Sequence, residues 1–243
     1  LALPAFANDA LPRAAAFDHV AVALDSEPDI NPGMAPLQVL ARAAAALAAS
    51  GAVGRGRVEG AVAEHGLPLL RETLTGTSEA RGGWAKPLVI GAYGEQFASR
   101  TAANFAGIWA NTTEEVVYFR TATDGAGTPL RGERHYTATF AADALPAAQA
   151  RFFWSVIGVD GVAFKVPPNP LNRFLLNSQS PLQRQANGAL TLGFGPTRPL
   201  GVPEPNWLPT PEGIAMNLTF RVYGPSRAVL DGTWYPAPLV AVA

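Results

Sequence analysis

The strongest constraint on the fold is a change of hydrophobic period near residue 115. Before it, apolar residues recur every three to four positions; after it they alternate. Helices are therefore expected first and strands afterwards. In "APLQVLARAAAALAAS", Leu37, Leu40, Ala44 and Leu47 share a helical spacing. This predicts a helix over 36–50, ended by Gly51 and Gly54. "RVEGAVAEHGLPLLRETL" predicts a second, weaker helix, broken near Gly66 and Pro68. "GEQFASRTAANFAGIWAN" predicts the best helix, over 94–110. Phe97, Phe105 and Trp109 fall on one face, Thr101 sits between them, Ile108 widens the stripe, and Asn111 is its terminator.

Beyond residue 115, "EVVYFRTATDG" and "ERHYTATF" read as strands, and the turn-rich "DGAGTPLRG" between them predicts a hairpin with a long loop. "RFFWSVIGVDG" is a buried-type strand closed by Asp160 and Gly161, with Trp154 in the core. "ALTLGFG" follows an Asn187-Gly188 turn. In "MNLTFRVYG", Met216, Leu218, Phe220 and Val222 face one way, and Asn217, Thr219, Arg221 and Tyr223 the other. The tail "AVLDGTWYPAPLVAVA" is strand-like but interrupted by Pro236 and Pro238, which suits an edge or exit strand, with Trp234 as its anchor. The expected fold is mainly β. An antiparallel, jelly-roll-like β-sandwich spans residues 112–243, preceded by a small α-helical region over residues 1–111.

Composition narrows the function classes. The 243 residues suit one large domain, or one with an appendage. Charged residues are 15% and the net charge is −1, so no basic surface argues for nucleic acid or an anionic membrane. With no cysteine, neither disulfides nor a thiolate metal site is available. His19, His65 and His135 are too far apart in sequence to form a metal-ligand motif, and neither metal nor cofactor is expected. No run approaches the length of a membrane span. Near the start, "LPAFA" resembles the tail of a secretory signal, with Ala5-Phe6-Ala7 as a small-x-small cleavage site. The other reading is an ordinary apolar segment of a longer protein.

A family resemblance rests on "WANTTEEVVYF", "DGAGTPLRGERHYTATF", "LPAAQARFFWSV", "VPPNPLNRF", "NGALTLGFG", "NWLPTPEG" and "FRVYGPSRAVLDGTWYPAPL", in that order over about residues 100–240. Together they resemble the bacterial domain-of-unknown-function family 1214, which commonly follows family 1254 in longer exported or envelope-associated proteins. The resemblance implies a jelly-roll-like sandwich preceded by helices, and no established reaction. It also points to a periplasmic or otherwise exported location. No family-1254 domain is recognisable before the match, so the chain is expected to be either a short member or part of a longer protein.

Three sets of residues are candidate ligand-binding groups, each with a structural alternative. Asn169, Asn172 and Arg173 in "VPPNPLNRF" can read hydroxyls or a carboxylate, or can bond the loop's own backbone. Asn206 and Trp207 in "EPNWLPTP" can offer a stacking platform, or anchor a loop. Arg221 and Tyr223, beside Asn217 and Thr219, can form a binding face, or an ordinary solvated strand surface. Catalytic candidates are few. Glu114 and Glu115 are adjacent, so on a strand they face opposite ways and cannot act as a pair. Asp124, Asp160 and Asp231 precede glycine, as turns require. His135 can serve as a base, but there is no GxSxG elbow, and Ser155 sits in an apolar strand. "GRGRVEG" has the wrong spacing for a dinucleotide loop. The expected function is a non-catalytic ligand- or glycan-binding envelope module. The alternatives are a hydrolase using His135 or a carboxylate such as Glu115, and a structural or accessory subunit of an envelope complex with a protein partner.

Overall fold

A computed structural model of the protein describes residues 13–30, 33–76, 78–163 and 165–242. The signal-like Ala5-Phe6-Ala7 lies outside them. The chain separates into two compact units, Leu1–Thr75 and Gly76–Ala243.

The first unit is helical. A 3-10 turn at Ala14–His19 leads into α1 (Val20–Ser26), followed by α2 (Met34–Ala49) and α3 (Ala52–Ala61). A π turn at Val62–Gly66 then runs into α4 (Leu67–Gly76). The predicted break at Gly66 and Pro68 does not occur. The backbone instead passes through the π turn, where Leu67 N–H reaches back to the Val62 carbonyl, and this irregular stretch takes up Pro68 without ending the helix. Gly51, at φ 117, ends α2. Gly54, expected as a second terminator, lies inside α3 instead, where a Cβ would strike the Leu47 carbonyl and the Ser50 hydroxyl. The core is small: Ala14, Ala48 and Val58, with Phe17 and Val62 packed against it. The predicted stripe is therefore rotated. Leu37 and Ala44 are half-buried, but Leu40 and Leu47 are exposed, and Ala48 takes the inward position.

The second unit begins with a hairpin absent from the sequence expectation, β1 (Ser78–Arg81) and β2 (Trp84–Pro87). Gly82 and Gly83 turn it at φ 58 and 86, as a two-residue hairpin requires. Next come α5 (Phe97–Gly107), β3 (Val116–Thr121), β4 (His135–Phe140), β5 (Ala150–Asp160) and β6 (Leu175–Asn177). The chain continues through β7 (Leu190–Gly195), β8 (Trp207–Pro209), β9 (Met216–Pro225), the short α6 (Arg227–Leu230) and β10 (Val240–Val242). Among the described residues these strands make two sheets, in the orders β1-β2-β3-β9-β5-β6 and β10-β4-β7-β8.

One apolar cluster joins the sheets. Its largest members include Trp84, Phe119, Tyr136, Trp154, Phe194 and Phe220. β9 alternates as its sequence requires: Met216, Leu218, Phe220 and Val222 are buried, while Asn217, Thr219, Arg221 and Tyr223 point the other way. Trp154 is buried and stacks on Phe220 at 5.2 Å between ring centroids. Trp234 anchors the tail, its indole N–H donating to the Ala144 carbonyl at 3.1 Å. β10 forms the edge of the four-stranded sheet.

Three expectations are corrected. β3 and β4 do not form a hairpin: β3 pairs with β2 and β9, and β4 with β7 and β10. Asp124 instead closes a local turn through the N–H groups of Ala126 and Thr128, and Leu130 is buried in the core, carrying the chain between sheets. The pairing is not wholly antiparallel, since β8 runs parallel to β7. The apolar stripe of α5 is not core. That helix buries Ser99 and Ala102 and leaves Phe97, Phe105, Ile108 and Trp109 exposed, with Trp109 at 85%. It stops at Gly107, and Ile108 takes a left-handed φ of 72, held by mutual bonds with Asn104.

Candidate functional site

The proline-rich loop after β5 closes on itself. The Asn169 amide oxygen accepts from the N–H of Leu171 at 3.2 Å and of Arg173 at 3.1 Å, and its NH2 donates to the Arg173 carbonyl at 2.8 Å. Asn172 stands in the same turn at φ 48, a left-handed position that asparagine tolerates. The fork of Arg173 reaches the loop before β8: Nη1 donates to the carbonyls of Glu204 at 2.8 Å and Trp207 at 2.9 Å, and Nη2 to the Glu204 carboxylate at 2.7 Å. Trp207 donates its indole N–H to the Gly195 carbonyl at 2.9 Å.

Asn206 is wholly buried. Its oxygen accepts from Gln183 N–H at 2.8 Å, and its NH2 donates to the carbonyls of Gln183 at 2.7 Å and Thr191 at 2.8 Å. As a ligand-reading residue it is corrected, because no face of its amide is open. The hollow beside Arg173, Leu175, Ser180 and Glu204 holds only about 110 Å³, below the size of a small-molecule pocket. Asn169, Arg173, Asn206 and Trp207 thus direct their polar groups into a clamp between β6, in one sheet, and β7 and β8, in the other.

The outward face of β9 is different. Cross-strand register sets Tyr118 of β3 and Ser155 of β5 on either side of Arg221, and sets Phe153 beside Tyr223. Phe153 and Tyr223 stack at 3.9 Å with an 18° tilt. The Arg221 guanidinium lies over the Tyr118 ring, 5.8 Å from its centroid. Tyr118 is itself fixed: its hydroxyl donates to the Asn111 amide oxygen at 2.9 Å, and the Asn111 NH2 donates to the Glu115 carboxylate at 3.0 Å. Gly91, at φ 78, lets the preceding loop rest on the Asn111 carbonyl, where a Cβ would collide.

Arg120 lies diagonally across from Arg221 on this face. Among the described residues, neither side chain makes a hydrogen bond or an ion pair. Burial first, then the positive charge of Arg221, lower the Arg120 guanidinium below its ordinary value. Its residue area stays exposed while its charged end sits among protein atoms, and the group remains cationic at neutral pH. Burial also raises the Tyr118 phenol. At the end of this face the register of β5 shifts between Ala150 and Phe153. A cleft of about 350 Å³ opens there, lined by Glu114, Gln149, Arg151, Phe152, Gly224 and Ser226. Bulges of this kind often re-aim side chains at functional sites.

The catalytic candidates do not converge. His135, on the four-stranded sheet, pairs through Nε2 with the Thr197 hydroxyl at 2.9 Å. Ser155 is on the other sheet, and Glu115 is bonded to Asn111. Among the described residues no group of three His, Asp or Glu side chains is placed to hold a metal ion. Arg221 and Tyr223 are among the residues expected at a site; Tyr118 and Arg120 are not. The signal was present in "VVYFRT", where Tyr118 and Arg120 alternate with the buried Val117 and Phe119.

Residues 115–227 match the family described as protein of unknown function (DUF1214). No curated protein matches the chain. Among solved structures, the VPA0106 protein from Vibrio parahaemolyticus is similar with a TM-score of 0.55 at 19% identity, over 94% of this chain and 52% of its own. An uncharacterized protein from Burkholderia cenocepacia gives 0.39 at 16% identity, over 60% of this chain and 41% of its own. The first likeness is one of fold, and this chain spans about half the length of that structure.

Proposed function

We propose that the region matching the DUF1214 family, residues 115–227, is a non-catalytic ligand-binding module, a jelly-roll-like sandwich whose site is the outward face of the six-stranded sheet. The observation that carries this reading is the state of Arg221. Its guanidinium lies over the ring of Tyr118, which is held by Asn111, yet its donors have no protein acceptor among the described residues. A fixed fork with free donors suits recognition, because its ordering cost is met before a ligand arrives. Arg173 makes the contrast, since both of its Nη atoms are bonded to protein. The stacked Phe153–Tyr223 pair beside Arg221 gives a planar flank suited to a sugar or small-molecule ring.

A glycan and small-molecule screen against the full chain tests this. Hits are expected to lose about tenfold or more in affinity, some 1.4 kcal/mol, on Arg221→Ala or Tyr223→Ala, with little change in melting temperature. Binding that survives both substitutions refutes the site. A periplasmic or envelope location accompanies the proposal, supported by the signal-like "LPAFA". Fractionation of cells expressing the full-length gene checks it, and an unprocessed cytosolic product counts against it. Among the described residues no helix is long and apolar enough to cross a membrane.

The accessory-subunit reading has one observation of its own, the exposed Phe105, Ile108 and Trp109 at the end of α5. Pull-down from membranes that fails with Trp109→Ser would favour it. The hydrolase reading has the least support, because Thr197, and no carboxylate, is the partner of His135.

A further inference from the structure

Resting on that binding reading, we infer that the ligand is anchored through an oxyanion, a carboxylate or phosphate group, gripped jointly by Arg120 and Arg221. The geometry begins with register. Tyr118 pairs with Arg221, and Arg120 with Thr219, so the two arginines are diagonal neighbours on one face of adjacent antiparallel strands. Such diagonals place side-chain origins roughly 7–8 Å apart, within reach of two long side chains converging on one group. Like charges on neighbouring strands repel, and protein surfaces normally relieve this with a nearby acid.

The strand rows beside the pair supply no acid, and Glu115 is bonded to Asn111 rather than to either arginine. The outward neighbours are Tyr118 on β3, Asn217, Thr219 and Tyr223 on β9, and Phe153, Ser155, Ile157 and Val159 on β5. On β6, Asn177 and Leu175 continue the rows. All are uncharged at neutral pH. The last turn of α5, residues 103–107, brings no acidic side chain to the pair. Gly107 lies against Arg120, a Cβ there falling 3.8 Å from Nη2, and so limits water around the guanidinium. Burial first, and the Arg221 charge second, lower the basicity of Arg120.

Two guanidinium forks, one held by the Tyr118 ring, match the planar or tetrahedral oxygens of a carboxylate or phosphate better than any neutral group. The hydroxyls of Ser155 and Thr219 stand in the flanking rows to accept or donate to the ligand's remaining polar groups.

Calorimetric titration of the full chain at low salt with D-galacturonate, inorganic phosphate and D-galactose tests the inference. At least one of the two anions is expected to bind, and neutral galactose to bind at least tenfold more weakly than that anion. Preference between galacturonate and phosphate identifies which anion the site is built for. Arg120→Met and Arg221→Lys should each weaken the anion by about tenfold or more, and ~0.5 M salt should do likewise. Arg120→Met should leave the melting temperature of the free protein unchanged or raised, because it removes a repulsion. Failure of both anions to bind, or equal binding by wild type and the two variants, overturns the inference. A neutral ligand that needs Tyr223 but not Arg120 would sink the oxyanion and leave the binding module standing. A screen in which nothing depends on Arg221 or Tyr223 would remove both.

Discussion

Residues 13–75 and 76–242 differ in what they bury and in where they keep their charges. The helical unit closes on Ala14, Ala48 and Val58, while the β unit closes on a continuous cluster containing Trp84, Phe119, Trp154, Phe194 and Phe220. The helical unit has its ion pairs at the surface, Arg13–Glu59, Arg42–Asp25 and Arg55–Asp18. The β unit has ion pairs as well, Lys86–Glu79, Arg173–Glu204 and Arg227–Asp231, and in addition buries polar groups such as Asn206 and Thr210, bonded to backbone. The difference teaches that each unit answers to a different perturbation: loss of volume for one, loss of charge for the other.

Phe220→Ala should have the largest effect. Its ring packs on Trp84, Phe140, Trp154 and Trp234, at 5.2 to 6.2 Å between centroids. Removing it should cost about 3–5 kcal/mol. Val58→Ala, in the small apolar cluster of the helical unit, should cost only about 1–2 kcal/mol. All five tryptophans, Trp84, Trp109, Trp154, Trp207 and Trp234, lie in the β unit, so denaturant melts followed by tryptophan fluorescence read that unit alone. Ellipticity at 222 nm reads chiefly the helices. Equal costs for the two substitutions would break the contrast between the cores.

Asn206→Ala comes next, at about 2–4 kcal/mol, because it strands the Gln183 N–H and two carbonyls in a place without water. The loss should appear in fluorescence and leave the helical signal in place. A change under about 0.5 kcal/mol would mean that the clamp is not holding the sheets.

The same contrast governs what could be read from the residues alone. β9 was legible because large apolar residues alternate with polar ones over its whole length, leaving one register. The helices at 34–49 and 97–107 were legible as helices, but their buried faces were not. In both, alanine and serine turn inward while Leu40, Leu47, Phe105 and Trp109 face out, so ranking by hydrophobicity picks the wrong side. The β1–β2 hairpin could have been found from Gly82-Gly83 between short strand-like runs. The separation of β3 from β4 could not, since it depends on Leu130 entering a core formed by distant strands. In the candidate site, Arg221 and Tyr223 followed from period-two alternation. Their link to Tyr118 and Arg120 needed the β3–β9 register, which no local pattern encodes.

Arg173→Lys should cost about 1–2 kcal/mol. Lysine keeps the charge but cannot meet the Glu204 carboxylate and the carbonyls of Glu204 and Trp207 in one plane. Binding of any ligand on the β9 face should be unchanged. If affinity falls while the melt does not, the proline-rich loop belongs to the site after all.

Acid and salt together give the smallest and most discriminating test. Bonding to Arg55 holds Asp18 below the usual carboxylate range, and the Ala14 N–H, then Arg13, do the same for Glu59. A carboxylate with a lower pKa folded than unfolded adds stability above its unfolded value, about pH 4. That contribution fades as pH falls through the folded value. The helical signal should therefore hold steady from pH 7 to 5 and weaken between about pH 4 and 3. The β unit has a counterpart in Asp160, but its pKa is lowered by the N–H groups of Ala163 and Val162, not by a cation. Acid alone will therefore touch both units. Salt separates them, because counterions screen the exposed Asp18–Arg55 pair and leave a bond to backbone N–H largely intact. At neutral pH, raising salt to ~0.5 M should lower the 222 nm midpoint slightly and the fluorescence midpoint less, because the β unit's Arg173–Glu204 and Arg227–Asp231 pairs are screened too but its large apolar core is not. Asp18→Asn should remove part of the salt response. If salt moves both signals equally, the stability of the helical unit does not rest on its surface pairs, and its small apolar core must carry more than its size suggests.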